Sequence, residues 1–360
     1  MNDINFYSLD EQHRKMMLEF ALGNKGKCIS VSSGMCGEIY IFDQGANAYP
    51  RFVCAKVPKQ LASCSAEDTA TRFVNELNRQ LSFYHHMFVH WAFDFKEVIG
   101  VPVALFRYWG SDLDKLLKSS ETSEIDKLSI MVYTCSGLKH CYSKGLVAHQ
   151  DLKPANIFLR DIKEQFSGLP DLDIYNLALV ADFGLSNASI DSGIYDGTRP
   201  YMAPEQWNKT ELSVYTDVFA LGVILYELMT DGYHPAGIRL QDFWPQPQNG
   251  NSKKWTKPDA WRKWIKGECK IVCSDAQLDP EILSLVKRMI SVEPKSRPTI
   301  DEVIESLLKH IQARCEESYT QVQFLINYFD HQVSNESLDE EWPYIAEVWK
   351  GFKEKFKKSI

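Results

Sequence analysis

The chain has 360 residues, enough for one large domain or two lobes with an ample core. At 44% hydrophobic and 24% charged it is too apolar for disorder, and its net charge of −8 has the wrong sign for a typical nucleic-acid binder. No stretch reaches the ~18 consecutive apolar residues of a membrane span, and Met1-Asn2-Asp3-Ile4 has neither the basic flank nor the apolar core of a signal peptide.

The nine cysteines are scattered, with no set spaced for zinc, which predicts reduced thiols and a cytoplasmic setting. Ser8-Leu9-Asp10-Glu11 has a capping-box pattern, so a helix is expected to run to about Leu22 and stop at Gly23, burying Met16, Met17, Phe20 and Ala21. Strands are expected at Cys28–Val31 and Glu38–Phe42, joined by the glycine-bearing turn 32–37. Such a hairpin can lay backbone N–H groups against phosphates, although most are only tight turns.

A third strand, Arg51–Val57, carries Lys56 among apolar neighbours, and a buried Lys needs a partner. Glu76, on the helix-like stretch Ala70–Leu81, is the best candidate. Glu97–Arg107 reads as two more strands, and Tyr108–Ser111 as a connector. A short helix around Asp112–Lys118 and a long one at Ile125–Lys144 follow. Beyond them come strands at Ile157–Arg160 and Leu177–Val180, a polar loop to Arg199, and a buried helix over Leu212–Met229. The stretch Leu240–Pro258 has no period and reads as a surface loop. Further helices are expected at Asp259–Lys266, Pro280–Ile290 and Ile300–Arg314, with two more in the tail. Strands first and helices after imply an α+β protein with a small sheet-bearing lobe and a larger helical one.

The chemistry concentrates in His149-Gln150-Asp151-Leu152-Lys153-Pro154-Ala155-Asn156 and Ala181-Asp182-Phe183-Gly184. Two acids and an amide can hold a divalent metal, and a nearby cation can sit on a phosphate, which is the minimum equipment for phosphoryl transfer. Any one of these residues alone would more often be a simple turn residue.

In series, these motifs resemble the protein kinase family from about Cys28 to His310. The resemblance implies a bilobal kinase-like fold, with an N-lobe at about 28–108, a C-lobe at about 109–315, and helical extensions at 1–27 and 316–360. It implies ATP and Mg2+ as cofactors. It assigns the nucleotide pocket to Gly34, Gly37, Ile39, Ala55, Lys56, Glu76, Arg107, Trp109 and Asp182, with Phe106 at its back. It makes Asp151 the group that takes or orients the hydroxyl proton, Lys153 the γ-phosphate contact, and Asn156 and Asp182 the metal ligands. Thr198 in Gly197-Thr198-Arg199-Pro200-Tyr201-Met202-Ala203-Pro204-Glu205 would touch Asp151 and Lys153, a feature that with Lys153 points to Ser/Thr specificity. Asp112 stands as a ribose contact or a helix cap. Glu205 should pair with Arg297, and Asp217 should hold the catalytic loop from below.

Four departures stand out. Ser32 replaces the first loop glycine. Gln80 stands where an apolar residue is expected. Asn156 and Asp182 are separated by an enlarged polar loop. Gln150 replaces the Arg that usually precedes the catalytic Asp; glutamine cannot pair with a phosphate as Arg does, so activity without activation-segment phosphorylation is expected.

The partner expected is a protein substrate of unstated identity, with no nucleic acid and the chain a monomer. Tryptophans 244, 255, 261 and 264 form either core or an exposed patch, core being favoured. The basic, aromatic run Trp349–Lys358 fits packing on its own domain better than contact with an anionic membrane. The alternative to a Ser/Thr kinase is a pseudokinase scaffold.

Overall fold

The computed structural model describes residues 5–23, 26–33, 37–60, 64–84, 86–118, 122–163, 165–166, 168–243, 254–272, 278–332 and 342–357. Gly34, Trp244 and the expected break at 334–337 lie outside these residues. The chain divides into two compact units. One comprises Met1–His85, His90–Gly110 and Val333–Ile360; the other comprises His86–Val89 and Ser111–Gln332. The tail thus contributes to both units.

In the first unit, α1 (Glu11–Ala21) starts at Asp10, whose carboxylate accepts from the His13 amide at 2.8 Å. Ser8 instead closes a preceding 3-10 turn, so the expected capping box lies two residues too early. The buried face of α1 centres on Leu18 with Met17, Ala21 and Leu22, while Met16 and Phe20 are exposed. Strands β1 (Lys27–Ser33), β2 (Gly37–Asp43) and β3 (Phe52–Pro58) precede α2 (Ala66–Ser82), and β4 (Ala92–Val98) and β5 (Val101–Arg107) follow it. They form an antiparallel sheet in the order β1-β2-β3-β5-β4. β4 begins five residues before the expected Glu97. Phe95 and Val98 are buried in different apolar clusters, while the charged Asp94, Lys96 and Glu97 are less buried, and Lys96 pairs with Asp94 at 2.8 Å.

Two apolar clusters cover the sheet. Phe6, Leu18, Tyr40, Phe42, Ala55 and Leu105 belong to one. The other joins Phe73, Val74 and Leu77 of α2 to Phe95, Ala104 and Phe106 of the sheet, and to Ile345, Trp349 and Phe352 of the C-terminal helix Pro343–Lys357. That helix therefore packs its apolar face on its own unit.

The second unit opens with β6 (Ser111–Asp112) and α3 (Leu113–Leu116), where Asp112 caps the helix by accepting from Lys115 N at 2.9 Å. Helix α4 (Glu124–Ser143) is buried along most of its length. Strands β7 (Ile157–Asp161) and β8 (Asn176–Val180) pair antiparallel, and β6 adds to β7. Helices α5 (Ala188–Ser192), α6 (Pro204–Asn208) and α7 (Val214–Met229) follow, then the small β9–β10 hairpin (Tyr233–His234 and Ile238–Arg239). The unit ends with α8 (Leu240–Phe243), α9 (Pro258–Lys266), α10 (Pro280–Met289), α11 (Ile300–Arg314) and α12 (Glu316–Gln332).

The tryptophans near α9 are largely core. Trp261 is 1% exposed and its Nε1 donates to the Trp255 carbonyl at 2.8 Å, while the buried His234 ring lies 4.8 Å from that of the partly exposed Trp264.

Candidate functional site

Candidate site residues fall in both units, and each group is built locally. In the sheet unit, Lys56 lies opposite Ile39 on β2 and Ala104 on β5. Residues directly opposite each other share a face of the sheet. Lys56 Nζ meets Glu76 Oε1 of α2 at 2.6 Å, both side chains being about seven-eighths buried. In such surroundings a lone ammonium would be costly, and the pair satisfies it. Gly37 has a packing reason of its own, because a Cβ there would come within 2.7 Å of the Val57 carbonyl.

Ala55 requires a correction. Successive strand residues point to opposite faces, and Ala55 sits opposite Tyr40 and Leu105 within the cluster beneath α1. The β3 neighbour that shares the face of Lys56 is Cys54, two residues away, which lies opposite Phe106 and packs with the second cluster. Counting back by two from Lys56 was the signal that could have found it.

Gln80, one turn beyond Glu76, is buried and donates from Nε2 to the His90 carbonyl at 3.0 Å. The His90 ring stacks on Phe106, and its Nε2 donates to the Arg107 carbonyl at 3.0 Å. Burial pulls His90 down to about 4, which keeps it neutral. A polar residue in an apolar position is thus explained by a linkage running from α2 to the end of β5. The Arg107 guanidinium stacks 4.6 Å from the Tyr49 ring and lies 5.9 Å from that of Trp109.

In the helical unit, Asp151 is surrounded by donors. Its Oδ1 accepts from Thr198 N at 2.8 Å and Thr198 Oγ1 at 2.7 Å. Its Oδ2 accepts from Lys153 Nζ at 2.8 Å, and Lys153 also reaches Thr198 Oγ1 at 3.1 Å. Asn156 Nδ2 donates to the Asp151 carbonyl at 2.8 Å, which turns its Oδ1 the other way. The Asn156 carbonyl accepts from Ala181 N at 2.9 Å, so the chain brings Asp182 alongside Asn156. Asp182 has a left-handed backbone, φ 60°, a conformation that is uncommon outside glycine. One carboxylate and one amide are hard oxygen donors that fit Mg2+ completed by phosphate oxygens.

Asp217 supports this loop from α7, accepting from His149 N at 2.8 Å, Gln150 N at 3.3 Å and Tyr142 Oη at 3.1 Å. Burial pushes its carboxyl up to about 7, against the pull of those donors. His149 Nε2 donates to the Ala181 carbonyl at 3.0 Å, and burial lowers its pKa.

Gln150, at φ 70°, reaches the segment after Asp182 in both senses. Its Oε1 accepts from Ser189 N at 2.9 Å and its Nε2 donates to the Ile194 carbonyl at 3.0 Å. Gln206, which sequence reasoning missed, donates from Nε2 to the Gln150 carbonyl at 2.9 Å and the Asp196 carbonyl at 3.2 Å, and accepts from Ala203 N at 3.0 Å. Gly197 packs so closely that a Cβ would lie 2.7 Å from the Gln150 carbonyl. Beyond it, Arg297 grips Glu205 with two bonds, Nη1–Oε1 at 2.7 Å and Nη2–Oε2 at 2.9 Å, both side chains buried.

Residues 33–309 match the family model described as Protein kinase domain. The chain belongs to the protein kinase family. The family fold is the two-lobed α+β one, and the family in general uses ATP and Mg2+. A similar protein is the "Interferon-induced, double-stranded RNA-activated protein kinase" of Rattus norvegicus, 31% identical over 209 residues, covering 54% of this chain and 32% of the relative. Another is the "Calcium/calmodulin-dependent protein kinase type I" of Schizosaccharomyces pombe, 33% identical over 163 residues, with coverages of 44% and 45%. A third is the "Probable serine/threonine-protein kinase fhkC" of Dictyostelium discoideum, 31% identical over 203 residues, with coverages of 54% and 29%. The chain thus matches less than half the length of each of these curated relatives. No helix among the described residues is long and apolar enough to cross a membrane.

Proposed function

We propose that this kinase transfers the ATP γ-phosphate to a Ser or Thr hydroxyl of a protein substrate, and does so without phosphorylation of its activation segment. The observation that carries the reading is the Asp151 carboxylate, fixed by Thr198 on one oxygen and Lys153 on the other. Such a carboxylate is oriented to take the proton of an incoming hydroxyl, and Lys153 is a cation beside it that suits a phosphate. Asn156 and Asp182 would hold Mg2+, which supplies charge neutralisation at the phosphates when bound. Lys56, paired with Glu76, is the residue for the nucleotide's other phosphates.

The Gln150 contacts support independence from phosphorylation. They tie the segment through its own backbone at Ser189 and Ile194, where a phosphate-binding Arg would need a modified residue. The setting is cytoplasmic, the chain acts as a monomer, and its partner is a protein rather than nucleic acid, in keeping with the net charge of −8.

The test is transfer of radiolabelled phosphate from ATP to the protein itself and to a generic protein substrate, with and without Mg2+. Wild type should label and depend on Mg2+, while Asp151→Ala and Asp182→Ala should each be nearly silent. A silent wild type would favour the scaffold alternative. Equal labelling by all three proteins would remove Asp151 and Asp182 from the mechanism.

A further inference from the structure

The C-terminal helix lies against the helix that carries Glu76. Its residues Ile345, Trp349 and Phe352 recur at i, i+4 and i+7, forming one face, and each is at most 5% exposed. That face joins Phe73, Val74, Leu77 and Leu81 of α2 in one cluster. Phe95 of β4 is the shared anchor, with its ring 4.7 Å from that of Trp349 and 5.4 Å from that of Phe352. At the start of the helix the Trp342 ring lies 4.6 Å from Trp91, and near its end Lys355 Nζ reaches Glu97 Oε2 at 3.2 Å.

On α2, Phe73 and Leu77, three residues before and one after Glu76, are 2% and 0% exposed and belong to the cluster that the aromatic rings of the tail complete. Burying apolar side chains of this size favours the docked position of the helix. The Gln80–His90 bond holds the same helix one turn further on.

We propose that the C-terminal helix is the element that positions Glu76, with Trp349 and Phe352 as positioning residues acting through Phe73, Leu77 and Phe95. The chain carries its own clamp for α2, so the Lys56–Glu76 pair forms without a second protein. The catalytic consequence rests on the kinase reading above; the clamp itself does not.

The experiment uses the full chain with Trp349→Ala, Phe352→Ala, the milder Trp349→Leu, Glu76→Gln, and the Glu76→Gln/Trp349→Ala double variant. Amide hydrogen exchange is followed in α2 and, as the control in the other unit, in α4. Exchange in α2 should rise by about tenfold or more in the tail variants with α4 unchanged, as for local loosening. Phosphate transfer by Trp349→Ala should fall by about tenfold in kcat, and the double variant should be no slower than Glu76→Gln alone, as for residues acting as one unit.

Unchanged exchange in α2, equal rises in α2 and α4, or multiplying kcat losses would each overturn the proposal. If Trp349→Ala does not fold, Trp349→Leu takes its place in the cycle. If the wild type transfers no phosphate, the kinase reading fails, and local loosening of α2 still decides for or against the clamp.

Discussion

Gln150 donates from Nε2 to the Ile194 carbonyl at 3.0 Å, and from its other end it accepts the Ser189 amide at 2.9 Å. One neutral side chain thereby fastens both ends of α5 to the catalytic loop. Each neutral hydrogen bond contributes about 0.5–1.5 kcal/mol, so Gln150→Ala should lower kcat by roughly tenfold through a looser segment. Gln150→Arg should lower it too, because a guanidinium can donate to Ile194 but cannot accept from Ser189. Steady-state rates decide this, and an unaltered Gln150→Ala enzyme would show that the bonds do not matter.

The Gln80 linkage makes a second prediction. Gln80→Leu removes one hydrogen bond but supplies the apolar side chain expected at this position, so unfolding free energy should stay within about 1 kcal/mol of wild type. Gln80→Ala also leaves a cavity and should cost about 2–3 kcal/mol. Urea denaturation measures both, and equal losses would mean that the bond to His90 carries the effect.

Asp126 predicts a pH dependence. Burial holds its carboxyl up at about 7, against the opposing Asn176 hydrogen bond of 2.7 Å, while the ordinary value is 3.8. Between those values the folded state binds the extra proton, so this group's contribution to stability falls as pH rises from about 4 to about 7. Asp126→Asn removes the titration. Its stability relative to wild type should therefore grow with pH across that window, by on the order of 4 kcal/mol at most. A relative stability that is flat with pH would contradict the assignment.

The Glu205–Arg297 pair is buried and bidentate, and Arg297 Nη1 also donates to the Tyr215 carbonyl at 2.7 Å. Arg297→Ala strands a buried carboxylate and should destabilise by about 3–5 kcal/mol. Arg297→Lys should not restore stability fully, because an ammonium cannot reproduce the two-pronged contact. Thermal unfolding of the two variants checks the order.

Much of this was legible because period and motif agree. Helix α11 falls on the expected residues, and Lys56, Glu76, Asp151, Lys153 and Thr198 make the contacts that their motifs implied. The misreadings have physical causes. Ala55 looked right by residue type, but strand alternation turns it to the other face and gives that place to Cys54. Met16 and Phe20 looked buried because a helical pattern does not say which side meets a sheet. The partners of Gln80 and Gln206, and the seat of Trp349 beside α2, depend on contacts between residues distant in sequence or on backbone geometry that no local pattern encodes. Gln150 was noticed for what it lacked; its two bonds to the segment are visible only in three dimensions.

The most direct measurement is kcat for phosphate transfer by the phosphatase-treated chain carrying Ser186→Ala, Ser189→Ala, Ser192→Ala and Tyr195→Phe, compared with wild type. Because Gln150 holds the segment through the Ser189 amide and the Ile194 carbonyl, the variant should retain kcat within about threefold, the loss of less than one hydrogen bond. A fall of a hundredfold or more in the folded variant, with wild type losing its activity on phosphatase treatment, would contradict a kinase that is active without a phosphate on this segment.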